Sequence, residues 1–228
     1  MIRKIAIVHT DFRLYWPARL RMLNSFLADR NIDLFIVEIS GKGSPYSFAS
    51  ASGSDSGLRW TRLFESMKME EIDAGDAVDA VCRKLDELQP DAVIAGPVAF
   101  SSGAASVRWC SLMRRPVVIF DDARLDDVPR PFYVDWIKTQ VYSLVDAMVI
   151  PAPSHDSTCL YFGFRKDQLF YGVDVVDNDF FTSGAVSDGV QAGTGDVFSA
   201  APFFLAVGRQ VAKKNWKMLL AAFRQAIG

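Results

Sequence analysis

"FFLAVGRQVAKKNWKMLLAAF", residues Phe203 to Phe223, is the stretch from which the rest of the chain can be read. An apolar run, Phe203–Val207, meets Gly208. Two lysines, Lys213 and Lys214, then precede a helix-period stripe of Trp216, Leu219, Leu220, Phe223 and Ile227. The pattern predicts a strand, a turn and an amphipathic helix. A helix start collects backbone N–H groups and partial positive charge, and Arg209, Lys213 and Lys214 add cations around the same point, so a diphosphate is the natural guest. The competing reading is that Gly208 merely ends a strand and the bases form a solvated face. In either case the apolar stripe must be buried against something, and the sequence closes at Gly228.

Outward from this unit, short apolar runs alternate with helix-period segments, the signature of βα units around a mostly parallel sheet. The pattern predicts strands at Lys4–His9, Asp33–Ile39, Asp91–Ala95, Pro116–Phe120, Ala147–Ile150, Gln168–Tyr171 and Phe203–Val207, with Arg59–Leu63 as a weaker addition. Helices are expected over Pro17–Arg30, Ala74–Leu88, Ser102–Met113, Tyr133–Val145, Asp156–Phe162 and Asn215–Ile227. The fold class is therefore α/β, a Rossmann-like parallel sheet flanked by helices. Two stretches interrupt it. Gly41–Gly57 is a Gly/Ser-rich loop after the second strand, on the side where open α/β sheets bind ligands. Thr182–Ala201 is poor in bulky residues and reads as a linker. The expected organisation is a Rossmann-like domain over 1–181, a linker over 182–202, and one βα unit of a second domain over 203–228.

The 228 residues are half hydrophobic, ample for a sizeable core, and no apolar run is long enough to span a membrane. A cytoplasmic location is expected. Three cysteines without a CxxC pair read as reduced packing residues. The net charge of −2 hides an asymmetry: from Val197 onward there are five bases and no acid. That suggests a local anion site and not a nucleic-acid surface.

Several constellations could carry chemistry. The first strand leads into Thr10-Asp11-Phe12-Arg13-Leu14-Tyr15-Trp16 and not into G-x-G-x-x-G, which argues against a dinucleotide enzyme. Tyr15, Trp16 and Arg19 could instead line an acceptor cleft, or the two aromatics could cap the core. Asp121, Asp122, Asp126 and Asp127 invite a metal. Yet Arg124 and Arg130 lie among them, and Asp commonly satisfies turn N–H groups. Asp121 and Asp122 are read as candidate contacts to a substrate hydroxyl, on position alone, and no metal is expected. Asp177-Asn178-Asp179 reads as a turn closing the first domain. His9 could reach the cleft, although a structural role is the simpler reading, and no G-x-S-x-G elbow supports a triad hydrolase.

Three segments, "VDAMVIPAPS" (145–154), "YGVDVVDNDFF" (171–181) and "FLAVGRQVAKKNWKMLLAAF" (204–223), resemble in order and spacing the GT-B fold retaining glycosyltransferases of group 1, which use nucleotide-sugar donors. The resemblance spans essentially the whole chain and is most specific in the last segment. It implies two Rossmann-like domains, the first holding the acceptor and the second the donor. By resemblance Arg209 and Lys214, beside Gly208, neutralise the departing diphosphate without a metal cofactor. The family's paired-glutamate motif has no counterpart, and "FDDA" lacks the histidine often found there. The chain then reads as the acceptor-side half with a truncated donor domain, inactive alone. Implied partners are a nucleotide-sugar donor, a carbohydrate or glycolipid acceptor with peripheral membrane contact, and a missing C-terminal domain or complementary chain. The alternatives are a stand-alone α/β module docking on a separate subunit that supplies the donor site, and a metal-dependent Asp-x-Asp enzyme of the other glycosyltransferase fold.

Overall fold

A computed structural model describes residues 2–12, 15–42, 57–127, 129–179, 204–208 and 210–227. The strands are β1 (Lys4–His9), β2 (Asp33–Ser40), β3 (Arg59–Phe64), β4 (Ala92–Ala95), β5 (Val117–Phe120), β6 (Ala147–Ile150) and β7 (Leu169–Tyr171). The helices are α1 (Trp16–Ala28), α2 (Ala74–Leu88), α3 (Ser101–Met113), α4 (Phe132–Tyr142), α5 (Asp156–Tyr161) and α6 (Trp216–Ile227). All seven strands form one sheet in the order β3-β2-β1-β4-β5-β6-β7, and every pairing is parallel. The strand order reverses between β1 and β4. In open α/β sheets that reversal opens a crevice at the carboxyl ends of the two strands.

Local rules account for the elements. α2 begins where the Asp73 carboxylate accepts the N–H groups of Gly75 and Asp76, at 2.7 and 3.3 Å. It buries Ala77, Val81 and Leu85 at four-residue spacing and stops at Gln89, whose φ of 45° is left-handed. β1 and β4 read as unbroken apolar runs because both of their faces are covered. On one face Ala6, Val8, Val37, Val93, Ala95 and Ile119 pack with α2, α3, Tyr142 of α4 and Cys159 of α5. On the other, Ile7, Ile36, Leu34 and Phe120 pack with Leu20 and Leu27 of α1.

Arg59–Leu63, the weaker expectation, forms a full edge strand one residue longer, β3 (Arg59–Phe64), held by five register pairs with β2. Phe203–Val207 is not borne out as a strand: residues 204–208 carry no regular structure, and Phe204, Leu205 and Val207 stand exposed. A strand exists through ladder bonds to a neighbour, and these residues have none among those described. The chain divides into two compact units, Met1–Asn178 and Asp179–Gly228. The 182–202 linker and most of the Gly/Ser loop lie outside the described residues.

One contact fixes how α3 seats against the crevice. A Cβ added at Gly103 would lie 2.4 Å from the carbonyl oxygens of Gly96 and Pro97, so only glycine permits this approach. Because the obstacle is backbone, Gly103→Ala is expected to destabilise the fold by about 1–3 kcal/mol, as over-packing does. Thermal denaturation should show a melting point several degrees lower, and an unchanged melting point would contradict the seating described.

Candidate functional site

At the carboxyl ends of the strands, one row of residues crosses the sheet. His9 pairs with Glu38, and Glu38 with Arg62. One step beyond the pairs Val8–Ala95 and Ala95–Ile119, Gly96 and Phe120 extend the row on the other side. Gly96 donates its N–H to the Val8 carbonyl at 3.0 Å. Since Gly96 has no side chain, the rings of His9 and Phe120 meet across it, centroids 5.0 Å apart and nearly perpendicular. Phe12 and Trp16 close the cluster, their centroids 5.4 and 5.5 Å from His9. Trp16 also packs on Phe120 at 4.9 Å.

Glu38 anchors the loop above this row. Only 2% of it is exposed, and its carboxylate accepts the Phe12 N–H at 2.7 Å, Trp60 Nε1–H at 2.9 Å and Arg62 Nε–H at 2.8 Å. Three donors, one of them the cationic Arg62, offset the cost of burying the charge. Burial still raises its pKa, against the pull of the Phe12 N–H, Arg62 and Trp60. The β1–α1 loop is thereby tied to the edge strand β3.

The polar groups on the His9 side are unmatched. His9 Nδ1, Thr10 Oγ1 and Ser102 Oγ are closed to solvent and have no hydrogen-bond partner among the described residues. Burial lowers the His9 pKa to about 4, so the imidazole is neutral near pH 7.

Of the expected cleft residues, Tyr15 is exposed, while Trp16 sits in the aromatic cluster. The Arg19 guanidinium lies over both rings, 5.9 Å from Tyr15 and 5.0 Å from Trp16, and Nε–H donates to the Val175 carbonyl at 2.6 Å. Asp121 is only 7% exposed, and its carboxylate accepts the Ala123 N–H at 2.9 Å and the Tyr142 hydroxyl at 3.1 Å. Asp122 is exposed and raises the pKa of Asp174, second to partial burial, while Arg19 and His155 pull Asp174 the other way. Asp174 thus senses Asp122, Arg19 and His155, and the sequence singled out neither Asp174 nor His155 for the cleft. Asp126 and Asp127 are used locally, by the Arg124 guanidinium and the Arg124 N–H. Among the described residues no group of three or more His, Cys, Asp or Glu is placed to hold a metal.

In the second unit Asn215 precedes α6 with a left-handed φ of 49°, and its side-chain oxygen accepts the Met218 N–H at 3.4 Å. Lys214 is exposed beside it, ending a 3-10 turn over Ala212–Lys214. A Cβ on Gly208 would lie 3.3 Å from the Trp216 ring, and Phe204 packs edge-on against Phe223 at 5.1 Å. Arg209 lies outside the described residues.

No protein-family model matches the sequence, and no curated protein does. Solved structures do share the fold. A UDP-N-acetylglucosamine 2-epimerase from Rickettsia bellii aligns over 100% of this chain and 59% of its own, with a TM-score of 0.57 and 14% identity. The S. aureus MnaA-UDP co-structure aligns over 81% of this chain and 52% of its own, at 0.53 and 12%. The lipopolysaccharide outer core galactosyltransferase WaaB, in its apo form, aligns over 73% and 44%, at 0.51 and 12%. This chain therefore spans about half the length of the structures it matches, and it has the Rossmann-like architecture of GT-B enzymes.

Two outcomes test the site's internal chemistry. Glu38→Ala leaves three donors without their acceptor and should cost about 3 kcal/mol, as breaking a buried ion pair does; denaturant unfolding measures it, and a loss under about 1 kcal/mol would contradict the anchoring role. His9 is charged in the unfolded chain below about 6.5 but in the fold only below about 4. Its share of stability, about 3 kcal/mol, should drain away as pH falls between those values. Glu38 and Asp121, whose pKa values burial raises, act in the opposite sense. The comparison is therefore with His9→Gln, whose stability should fall less over that window; parallel curves would contradict a buried neutral imidazole.

Proposed function

We propose that the chain is the acceptor-side part of a glycosyltransferase that moves a sugar from a nucleotide-sugar donor to a carbohydrate or glycolipid acceptor with retention. The observation that carries this is the parallel sheet with reversed strand order, whose GT-B neighbours include a galactosyltransferase. Residues 1–181 serve the acceptor, 182–202 link, and 203–228 open a donor domain. Tyr15, Trp16 and Arg19 flank the acceptor with Asp122, and Asp121 holds the loop beneath them. Lys214 and Arg209, beside Gly208, neutralise the leaving diphosphate, which makes a metal cofactor unnecessary.

Peripheral membrane contact at the cytoplasmic face fits the exposed aromatic side of α4, where Phe132, Tyr133 and Trp136 stand in solvent. No described helix is long and apolar enough to cross a membrane. A second reading, a nucleotide-sugar epimerase, is favoured by the Rickettsia bellii enzyme, which aligns along the entire chain.

The test is an assay with UDP-glucose, UDP-galactose and UDP-N-acetylglucosamine, of the chain alone and of residues 1–202 joined to the donor-side domain of a GT-B glycosyltransferase. The chain alone should give no transfer, and the chimaera should give a glycoside that keeps the donor's anomeric configuration. Turnover by the chain alone would contradict the half-site assignment. An epimerised nucleotide sugar would replace transfer with the second reading.

A further inference from the structure

The Arg19 guanidinium is held with one nitrogen committed and two to spare. Its Nε–H donates to the Val175 carbonyl at 2.6 Å, which ties the first turn of α1 to the segment that follows β7. The cation lies over the Tyr15 and Trp16 rings, 5.9 and 5.0 Å from their centroids, so its position is fixed from that side as well. Among the described residues Nη1 and Nη2 donate to nothing and pair with no carboxylate, and neither atom is sealed from solvent. Anchoring the loop accounts for Nε and for the rings but leaves this edge unused. The carboxylate that acts on Arg19, Asp174, is exposed and takes no hydrogen bond from it. Burial lowers the Arg19 pKa by more than Asp174 and Tyr15 raise it, so the charge is under-compensated where it stands.

We propose that the open Nη edge of Arg19 binds the acceptor through an anionic group, a carboxylate or phosphate carried on a sugar, so that the acceptor is an acidic saccharide and not a neutral one. Two parallel N–H donors match two oxygens of either anion, a geometry that the point charge of an ammonium does not reproduce. A neutral hydroxyl would take one donor and leave the cation as under-compensated as before. The inference rests on the acceptor-side reading for placing a sugar beside Arg19, and it adds the chemical class of that acceptor and the edge that reads it.

The chain has five tryptophans, and their indole N–H resonances report separately. Trp16 carries the guanidinium over its ring, while Trp109, bonded to Asp86 on α2, serves as the control for the fold. Isotope-labelled full chain is titrated with methyl glucuronide, glucose 6-phosphate, methyl glucoside and inorganic phosphate. At least one of the two anionic sugars should shift Trp16 saturably, and the two arms separate carboxylate from phosphate. Methyl glucoside should bind about tenfold more weakly, the low end for losing hydrogen bonds to a charged group. Arg19→Lys, which keeps the charge but not the fork, should weaken the anionic sugar by about the same factor with Trp109 unmoved. Asp174→Asn removes a competing carboxylate and should tighten that sugar about twofold to fivefold, the worth of an exposed charge pair; an arginine that only anchors a loop would give no such gain. Silence of Trp16 toward both anionic sugars, methyl glucoside or inorganic phosphate binding as tightly as they do, an Arg19→Lys titration equal to wild type, or an Asp174→Asn titration no tighter than wild type would each overturn the proposal. No nucleotide enters the titration, so its failure leaves the transfer assay standing, and a failed transfer assay leaves a saturable Trp16 response standing.

Discussion

The carboxyl edge of this sheet is organised around an absence of bulk at position 96. Strands in a sheet stand nearly 5 Å apart, so side chains two strands away seldom touch. With glycine just past the end of β4, the His9 and Phe120 rings meet across it. Trp16 and Phe12 then have a ring surface to pack on, and the β1–α1 loop folds down over the reversal point. A side chain at 96 would push His9 away and undo that cover. The same glycine lets His9 Nδ1 and Ser102 Oγ close in on the strand end, where both are sealed from solvent.

Charge is handled differently on the two sides of His9. Toward β2 and β3, Glu38 is buried as an anion and fully supplied by Phe12 N–H, Trp60 and Arg62. Toward β4, burial strips His9 of its charge. The floor around His9 is therefore neutral and aromatic, whereas Asp122, Arg19 and His155 all act electrostatically on Asp174.

Much of the fold was legible because periodicity reports burial. The apolar runs of β1, β2 and β6 gave their positions to within a residue, and the α2 stripe gave its helix at both ends. The 203–207 run misled because hydrophobicity identifies a segment that can pair but supplies no partner. The site was read less well. Trp16, Tyr15 and Arg19 stood out as an aromatic and basic loop, but Glu38 is one acid inside an apolar strand, and its three partners come from distant positions. Gly96 and Ser102 carried a faint signal: a strand ending in Gly-Pro, followed by Ser101-Ser102-Gly103 at a helix start. Only the fold brings them to His9.

The central physical claim, a sealed and uncharged polar floor at the β1–β4 reversal, is most directly measured by the ring nitrogens of His9. Nitrogen NMR of the imidazole at pH 5 to 6 should find it neutral, in a single tautomer and exchanging slowly with water. A His9 ring that takes up its proton near pH 6.5, as in a free peptide, would contradict the claim.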